Sequence, residues 1–217
     1  MYGVFWDLKA SSENKAMLMI SQTANANDFW KTGQEIAMSI VPRIGEDDVV
    51  LDFGCGIGRV ASFVAPYVRE LWCVDASSRM LKFASKALSD HNNVHLLRTN
   101  GIKMQLRDEM FDFAYSILTL QHLEKEDAYV TLCEIYRVLK AGGLAYFSFP
   151  NFLSKEYFKG FLKNVKNPDF SPIRIRLYTS QEVEKILTSI GFKVLSLWNP
   201  NPILKEPVEI TPLVEKR

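Results

Sequence analysis

The chain has 217 residues, enough for one α/β domain with a substantial core and too few for two such domains of ordinary size. Apolar residues make up 47% of it and charged residues 24%, which matches soluble globular proteins and excludes a disordered or fibrous chain. The net charge of +1, with no long basic run, argues against nucleic acid as a partner.

The cysteines and the N-terminal segment indicate the compartment. The three cysteines form no Cys-X-X-Cys pair, and their odd number argues against a disulfide framework. The N-terminus lacks the basic start and apolar run of a signal peptide, and no stretch approaches the ~20 apolar residues of a membrane-spanning helix. We therefore expect a cytoplasmic protein that does not have a membrane as a partner.

Residues 1–45 precede the first predicted strand and are predicted to form an N-terminal helical cap. The spacing of their apolar and aromatic residues predicts a helix from Phe29 to Val41. Ligands bind at the carboxyl edge of a parallel sheet, so the aromatic side chains of the cap are expected near the mouth of a ligand site. They could equally serve only to cover the sheet.

The segment Val49–Arg59, with the sequence VVLDFGCGIGR, predicts a strand that runs into a glycine loop. The strand is the apolar, β-branched run Val49–Phe53. The residues after the loop, Arg59–Val68, have the apolar spacing of a helix. This order of strand, loop and helix is the first half of a βαβ unit.

Strands and helices then alternate. The apolar run Leu71–Val74 ends at Asp75 and precedes a helix that Ser77 or Ser78 can cap. The elements predicted next are the strands Val94–Leu97, Phe111–Ile117 and Leu144–Phe149 and a helix Asp127–Leu139, closed by Gly142 and Gly143. The strands lack polar alternation, as expected of parallel strands covered on both faces. The sequence therefore predicts a doubly wound, mostly parallel α/β sheet.

This regular alternation lapses after Pro150. Residues 151–178 are predicted to form a lid or insertion. Thr179 then opens a capping box for a helix that Gly191 closes, and Phe192–Trp198 is predicted as a strand.

The C-terminal residues 199–217 contain the four prolines Pro200, Pro202, Pro207 and Pro212. Because proline cannot donate to a central ladder, we expect at most an edge strand here, which could be antiparallel. The predicted organisation is a helical cap at 1–45 and a core at 46–217 with the lid inside it.

The glycine loop favours one ligand class over another. Its three glycines let the backbone turn sharply and let a ligand approach main-chain amides. The dinucleotide fingerprint needs a glycine or alanine where Arg59 stands. Asp52 would repel a pyrophosphate but suits the ammonium and sulfonium groups of S-adenosylmethionine. Asp75 could accept hydrogen bonds from the ribose of either ligand, so an NAD-dependent oxidoreductase stays as a disfavoured alternative.

Further motifs support the same ligand. They are Phe111-Asp112, Gln121-His122-Leu123 and the run RVLKAGG at residues 137–143, together with the glycine loop and Asp75. With them the chain resembles the class I S-adenosylmethionine-dependent methyltransferases, in particular their small type 11-like members, strongly over residues 49–150 and faintly over 178–198. The resemblance implies a Rossmann-like sheet of seven strands, S-adenosylmethionine as cofactor and methyltransferase activity.

The resemblance also implies which residues hold the cofactor. It assigns the methionine end to Asp52 and the loop residues Gly54, Cys55, Gly56 and Gly58, and the ribose to Asp75. It implies that Ala76, Met80 and Ile102 sandwich the adenine, and the remaining predicted cofactor-binding residues are Asn100, Gly101 and Ile117. The family often has an acid where this chain has Asn100, whose amide can still bond the adenine amino group. Met80 could instead be plain core, and Cys55 a small loop filler rather than a nucleophile.

His122 is the candidate catalytic residue. It follows the fourth predicted strand at the edge where an acceptor should bind, and its ordinary pKa of about 6.5 suits a general base. It could instead only cap the following segment, and Asp112 is expected to be structural. Three scattered histidines do not make a metal cluster, so we expect no metal.

The acceptor is predicted to be a small molecule, with a hydroxyl oxygen favoured over nitrogen or carbon. Residues 115–118 lack the cradle for a planar amine, an Asn or Asp followed by Pro-Pro and an aromatic residue. The lid at 151–178 mixes lysines with aromatic residues, which would suit an anionic or glycan-like molecule, although a solvated lysine face is favoured. A non-catalytic S-adenosylmethionine-binding module is the alternative class, and a monomer or a homodimer is expected.

Overall fold

The computed structural model describes residues 2–21, 25–171, 173–198 and 208–217. Its strands are β1 Val49–Phe53, β2 Glu70–Asp75, β3 Val94–Arg98, β4 Phe111–Ser116, β5 Leu139–Phe147, β6 Phe149–Pro150, β7 Phe192–Ser196, β8 Glu209–Ile210 and β9 Leu213–Lys216. Its α-helices are α1 Tyr2–Lys9, α2 Glu13–Ser21, α3 Ala26–Ile40, α4 Ala61–Val64, α5 Ser78–Ala87, α6 Lys125–Val138, α7 Lys155–Lys166 and α8 Ser180–Ile190. Short 3₁₀ turns lie at Val41–Arg43, Ala65–Tyr67 and Leu120–His122.

Seven strands form one sheet in the order β3-β2-β1-β4-β5-β9-β7. The strands β1 to β5 pair in parallel, whereas β9 is antiparallel to both β5 and β7. This confirms the doubly wound, mostly parallel, seven-stranded prediction. The strand order reverses between β1 and β4, and the crevice at such a switch point is where ligands bind in this class of sheet.

The central strand β1 is buried along its whole length. Side chains alternate across a sheet, so Leu51 and Phe53 pack into the apolar cluster on one face while Val50 packs into the cluster on the other. In the strand register Asp52 lies opposite Cys73 on β2 and opposite Tyr115 on β4. The sequence of β1 thus points a carboxylate into an otherwise apolar face next to the switch point.

The C-terminal strand differs from the prediction. β9 is antiparallel, but it lies between β5 and β7 rather than at an edge. Residues 213–216 contain no proline, so their backbone can donate hydrogen bonds on both sides, and Pro212 immediately before them serves as an acceptor from the Phe147 amide. Pro200, Pro202 and Pro207 lie outside the described residues.

Two predicted helices end differently from expectation. The helix α6 passes directly into extended backbone at Leu139, so Gly142 and Gly143 do not close it but lie within β5. A Cβ at Gly143 would lie 2.9 Å from the Lys140 carbonyl oxygen, so this close approach explains that glycine. The helix predicted from Arg59 to Val68 is a single α-helical turn followed by a 3₁₀ turn, in which Pro66 cannot donate to the helical ladder.

Helices lie both before β1 and after β6, and α3 falls where the sequence predicts a helix from Phe29 to Val41. Asn25 caps α3 through its side chain, and three helices precede β1. Thr179 and Glu182 form the predicted capping box at α8, and Gly191 ends that helix with a φ of +117°. The lid contains α7, which Ser154 caps. None of the helices in the described part of the chain combines the length and apolarity that crossing a bilayer requires.

Candidate active site

A pocket opens at the carboxyl edge of β1, β2 and β4. The predicted site residues that line it are Asp52, Gly54, Cys55, Gly56, Asp75, Ala76, Met80, Gly101, Ile117 and His122. The pocket also receives side chains from α1 and α2. Most of the predicted cofactor-binding residues and the predicted catalytic residue therefore meet in one cavity, beside the switch point of the sheet.

The glycine loop forms the floor of this pocket and has no room for side chains. A Cβ at Gly54, whose φ is +84°, would lie 2.1 Å from Thr119 Oγ1. Gly56 also has a positive φ of +57°, and L residues rarely adopt such a backbone. The Gly54 amide is held by the Val74 carbonyl oxygen at 2.7 Å, which fixes the loop between β1 and β2. The sequence therefore exposes a fixed, bare stretch of backbone to a ligand.

Asp75 closes this loop with its carboxylate. Oδ2 accepts a hydrogen bond from the Gly56 amide at 2.9 Å, and Oδ1 accepts one from the Ser77 amide at 2.8 Å. A carboxylate has about four lone-pair sites, so both oxygens keep capacity for a ligand's hydroxyl groups. Burial raises the pKa of Asp75 to about 6, which leaves it ionised at neutral pH. It can position the loop and accept two hydroxyls together.

Asp52 is a buried carboxylate that lacks a positive partner within the described residues. Its side chain is 4% exposed. None of the ion pairs of the described part of the chain includes it. Burial raises the pKa of Asp52 to about 8, and the neighbouring carboxyl of Asp75 also raises it. A ligand with a cationic group would supply the positive partner that the Asp52 carboxylate lacks.

Tyr115 is a pocket residue that sequence reasoning missed. It is fully buried beside Asp52, and its hydroxyl makes no hydrogen bond of normal geometry with a described residue. The hydroxyl lies close enough to the Asp52 carboxyl to lower the pKa of that group, yet it keeps hydrogen-bonding capacity, so it is a candidate ligand contact. The sequence alone does not identify Tyr115 as a pocket residue. An aromatic residue near the end of β4 becomes a neighbour of Asp52 only once the strand register is known.

We expect Tyr115→Phe to separate ligand binding from stability. Because the substitution removes a buried hydroxyl that makes no hydrogen bond of normal geometry with a described residue, the free energy of unfolding should change by less than about 0.5 kcal/mol or increase, whereas affinity for S-adenosylmethionine should fall about 3- to 10-fold. Urea denaturation and calorimetry measure the two quantities. Tyr178→Phe is the matched control, since the Tyr178 hydroxyl is also buried without a partner but lies outside the pocket. A stability loss without an affinity loss at Tyr115 would contradict this assignment.

His122 is fixed by three neighbours at the pocket wall. Nδ1 lies 2.7 Å from the Ile173 carbonyl oxygen, and a carbonyl only accepts, so Nδ1 carries the proton. Burial lowers the pKa of His122, which keeps the ring neutral at pH 7 and leaves a lone pair on Nε2. The Gln121 side-chain nitrogen lies 3.2 Å from that Nε2, and the Trp6 ring packs edge-on at 5.1 Å. The imidazole is therefore held as a neutral proton acceptor.

Cys55 behaves as a small buried group rather than as a nucleophile. Its thiol is buried between the glycines, next to the thiol of Cys73. Contact with Cys73 and burial raise the pKa of Cys55, so the reactive thiolate is disfavoured. This supports the loop-filler interpretation. No group of three or more metal-ligating side chains converges among the residues that the structure describes.

Three predicted cofactor-binding residues do not line the pocket: Gly58, Asn100 and Ile102. A Cβ on Gly58, whose φ is +85°, would press on the Leu88 side chain at 3.0 Å, which indicates a packing role. The Asn100 side-chain oxygen instead accepts hydrogen bonds from the Ile102 amide at 2.9 Å and the Lys103 amide at 2.8 Å. The Ile102 side chain packs against the main apolar cluster. Their binding roles stay predictions.

The cap contributes pocket residues that sequence reasoning placed only roughly. The lining residues of α1 and α2 are Tyr2, Trp6, Met19 and Ile20. The Tyr2 hydroxyl donates to Asp127 at 2.6 Å and accepts from the Glu124 amide at 3.1 Å, which ties α1 to the start of α6. Asp7 accepts from the Ser77 hydroxyl at 2.6 Å. The aromatic residues of the cap were the sequence signal for these pocket residues. The contacts of Tyr2 and Asp7 hold α1 beside the glycine loop.

Two further residues that the sequence singled out stabilise the surroundings of the site. Asp112 accepts a hydrogen bond from the Val49 amide at 3.0 Å and pairs with Lys140 at 2.6 Å, which supports its structural interpretation. Arg59 lies at the pocket margin, where its guanidinium donates to Thr32 at 3.0 Å and lies over the Phe29 ring. Arg59 thereby fastens α3 to the glycine loop.

Comparison with known proteins gives a family for this architecture. The model of a family described as a methyltransferase domain matches residues 51–147. That range begins within β1, includes the glycine loop, Asp75, Tyr115 and His122, and ends with β5. The matched region is thus the part of the chain that builds the pocket floor.

Two relatives and one solved structure illustrate the range of similarity. A malonyl-acyl-carrier-protein O-methyltransferase of Marinomonas is 32% identical over 124 residues, covering 56% of this chain and 44% of that protein. A sterol 4-C-methyltransferase of Caenorhabditis elegans is 34% identical over 105 residues, covering 46% of this chain and 30% of that protein. The chain spans half or less of the length of these relatives.

The solved structure of an S-adenosylmethionine-dependent methyltransferase from Aquifex aeolicus superposes with a TM-score of 0.68 at 16% identity. The superposition covers 95% of this chain and 100% of that one. At this level of identity the likeness concerns the fold, and it extends over nearly the whole chain.

Proposed function

Because the chain belongs to the class I S-adenosylmethionine-dependent methyltransferases, we propose that it transfers a methyl group from S-adenosylmethionine to a hydroxyl oxygen of a small molecule. The observation that carries the proposal is that a neutral, positioned imidazole and the candidate cofactor floor share one pocket. A base that faces the donor site is of use to a hydroxyl acceptor, which has a proton to lose.

The chemistry of the pocket fits S-adenosylmethionine. Bare backbone at Gly54 and Gly56 allows a close approach, which a Cβ at Gly54 would block. The buried Asp52 carboxyl suits a cationic amino-acid end, and the Tyr115 hydroxyl beside it offers a further polar contact. Asp75 keeps acceptor capacity for ribose hydroxyls. These features support the assignment of the methionine end to Asp52 and of the ribose to Asp75.

When bound, S-adenosylmethionine supplies an electrophilic methyl group on a sulfonium whose departure leaves a neutral thioether. The chain itself must hold the reacting groups in line, and alignment alone can lower the barrier by about 7–11 kcal/mol. The glycine loop and Asp75 are fixed to each other by hydrogen bonds, so this floor is already organised. The cap residues Tyr2 and Trp6 line the pocket and add apolar surface beside the glycine loop.

His122 acts in the proposal as the general base at Nε2. The Ile173 carbonyl holds the proton on Nδ1 and so directs the lone pair of the other nitrogen toward the acceptor. In the ligand-free geometry the Gln121 amide lies against that lone pair, and the acceptor hydroxyl takes its place. The hydroxyl proton then passes to Nε2 as the oxygen attacks the methyl group. Base assistance of this kind contributes about 10²–10⁴-fold.

The two relatives differ in the atom that their names say they methylate, oxygen in one and a sterol carbon in the other. The tautomer of His122 supports oxygen here, because an oxygen acceptor needs a proton acceptor in contact with it. We expect the full chain to release S-adenosylhomocysteine from methyl-labelled S-adenosylmethionine when it is given a panel of phenols, hydroxy acids and sugars, with the label on acceptor oxygen. Label appearing only on nitrogen or carbon acceptors would contradict the proposal.

A non-catalytic S-adenosylmethionine-binding module is the second candidate, and the Gln121 amide on the His122 lone pair is the observation that favours it. The two candidates differ in a single readout. The module would be supported, and the enzyme contradicted, if the protein bound S-adenosylmethionine tightly but released no S-adenosylhomocysteine with any acceptor. Release by an Asp52 variant sets the background for this comparison.

A further inference from the structure

The lid helix α7 presents an apolar face that the rest of the described chain covers only in part, through Phe152. None of its residues is buried. The large apolar side chains exposed on it and at its two ends, with their exposed fractions, are Leu153 66%, Phe158 43%, Phe161 41%, Leu162 47%, Val165 62% and Phe170 83%. Single exposed apolar residues are ordinary, but a contiguous group of this size marks an interaction surface.

One residue of α7 fixes the orientation of this face. The Tyr157 hydroxyl donates a short hydrogen bond to Glu209, which joins the helix to β8. The Phe152 ring packs edge-on against Phe158 at 5.7 Å and against Phe161 at 5.5 Å. The helix is therefore attached through Tyr157 and the Phe152 cluster, and Leu162 and Val165 are the apolar side chains of α7 that stay most exposed.

Lysines follow one margin of the same face. At about 100° per residue, the exposed apolar residues of α7 span an arc of about 100°, and its lysines occupy the adjacent arc of about 80°. These lysines are Lys155, Lys159, Lys163 and Lys166. Glu156 is the only acidic residue of the helix. Long lysine side chains beside an apolar face can extend their ammonium groups to an anionic surface while the face is buried.

We propose that α7, with Leu153 and Phe170, is a docking surface for an anionic lipid bilayer. An amphipathic helix with aromatic and aliphatic side chains on one side and lysines beside them is suited to lie in the plane of such an interface. The positive charge complements anionic headgroups, and each lysine close to the surface strengthens the attraction. This surface binds peripherally, and it revises the expectation that a membrane is not a partner.

The charge pattern argues against a second copy of the chain as the occupant. In a symmetric dimer the same patch would meet itself, so the four lysines of one copy would face the four lysines of the other. No carboxylate row lies along the helix to neutralise them, since Glu156 is its single acid. A bilayer rich in anionic headgroups satisfies both the apolar face and the lysine margin.

The docking surface is connected to the reaction pocket by one short segment. Arg174, Ile175 and Leu177 line the groove beneath α7. In the same segment, the Ile173 carbonyl accepts from His122, and the Arg176 amide donates to the Gln121 carbonyl oxygen at 2.8 Å. The protein would therefore lie on the bilayer with the base side of its pocket close to the lipid surface.

Sedimentation with vesicles tests the proposal without reference to catalysis. The full chain is mixed with vesicles of phosphatidylcholine alone or with phosphatidylglycerol added. We expect binding to the anionic vesicles, weakened by salt, and little binding to phosphatidylcholine alone. Lys159→Gln/Lys163→Gln should reduce binding about 30-fold. Lys82→Gln/Lys86→Gln, a pair with the same spacing on the exposed side of α5, should bind as wild type.

A second pair of variants tests the apolar face. Leu162→Ser/Val165→Ser should lose binding to anionic vesicles, whereas Val4→Ser/Leu8→Ser, which changes two exposed apolar residues of α1, should retain it. Circular dichroism checks that each variant is folded. The proposal would be overturned if the wild-type protein did not bind anionic vesicles, or if the α5 or α1 variants lost as much vesicle binding as the α7 variants. It would also be overturned if the wild type formed a dimer that the α7 substitutions dissociate.

Discussion

His122→Asn is expected to lower kcat by about 10²–10⁴-fold while leaving affinity for S-adenosylmethionine within about twofold of wild type. The asparagine amide can still donate to the Ile173 carbonyl oxygen, so the segment around it keeps its anchor, but it cannot accept the acceptor's proton. Steady-state kinetics with a hydroxyl acceptor measure kcat, and calorimetry measures binding. The separation of the two quantities distinguishes a base from a residue that holds the cofactor.

The pH profile gives a second signature of the same role. Burial lowers the pKa of His122 below its ordinary 6.5, so the active neutral form should dominate at pH 7 and be lost only on acidification below that value. The wild-type kcat should therefore fall on the acid side of pH 6.5, and that limb should vanish in the variant. His95→Asn is the control, because His95 is half exposed, stacks on Trp72 and lies outside the pocket. A kcat for His122→Asn within threefold of wild type would remove His122 from the mechanism.

Asp52→Asn is expected to weaken binding of S-adenosylmethionine by about 10- to 100-fold, because a hydrogen bond to a buried charge is replaced by one to a neutral amide. The matched control is Asp47→Asn, an exposed aspartate in the loop before β1, which should bind as wild type. Calorimetric titration of both variants measures the effect. An unchanged affinity for Asp52→Asn would show that the cationic end of the cofactor lies elsewhere.

The raised pKa of Asp52 predicts a pH dependence that the variant should lack. A cationic ligand favours the ionised carboxylate, and the pKa of Asp52 in the free protein is about 8. Wild-type affinity should therefore increase between about pH 5.5 and about pH 7.5, by up to about tenfold per unit. The ligand's own amino group titrates identically with both proteins, so the difference between wild type and Asp52→Asn isolates the protein carboxyl.

The stability of the ligand-free protein should depend on the same titration of Asp52, but it should fall where ligand affinity rises. The pKa of Asp52 rises from an ordinary 3.8 to about 8 on folding, so the folded state holds more protons between these values. The free energy of unfolding should fall as pH rises from about 4 to about 8, and this contribution should disappear in Asp52→Asn. Urea denaturation at several pH values measures it. If the difference in unfolding free energy between wild type and Asp52→Asn did not vary with pH, the raised pKa of Asp52 would be contradicted.

The parts of the fold that the sequence predicts well are those with local signals. The apolar run of β1 followed by alternating glycines, the Ser77 cap and the capping box at Thr179 all depend on residues within a few positions of each other. Each was predicted close to its observed position. The cofactor floor follows from the same local motifs, which is why Asp52 and Asp75 could be placed in one pocket before their contacts were known.

The features that escaped prediction depend on long-range pairing. Tyr115 becomes a pocket residue only because β4 pairs with β1 in one particular register. The insertion of β9 between β5 and β7 depends on which edge of β5 is open, and the prolines nearby suggested an edge strand instead. Gly142 and Gly143 resemble a helix stop in sequence, yet in the fold Gly142 provides a positive φ of +75° and Gly143 a close approach to the carbonyl oxygens of β4 and β5.

A crystal structure with S-adenosylhomocysteine is the most direct measurement of the central claim that this pocket holds the methyl donor. The expected result is the amino group within hydrogen-bond distance, about 3 Å, of the Asp52 carboxylate and the ribose hydroxyls on Asp75, with His122 facing the sulfur side of the pocket. A nucleoside bound away from Asp75, or a ligand carboxylate placed against Asp52, would contradict it.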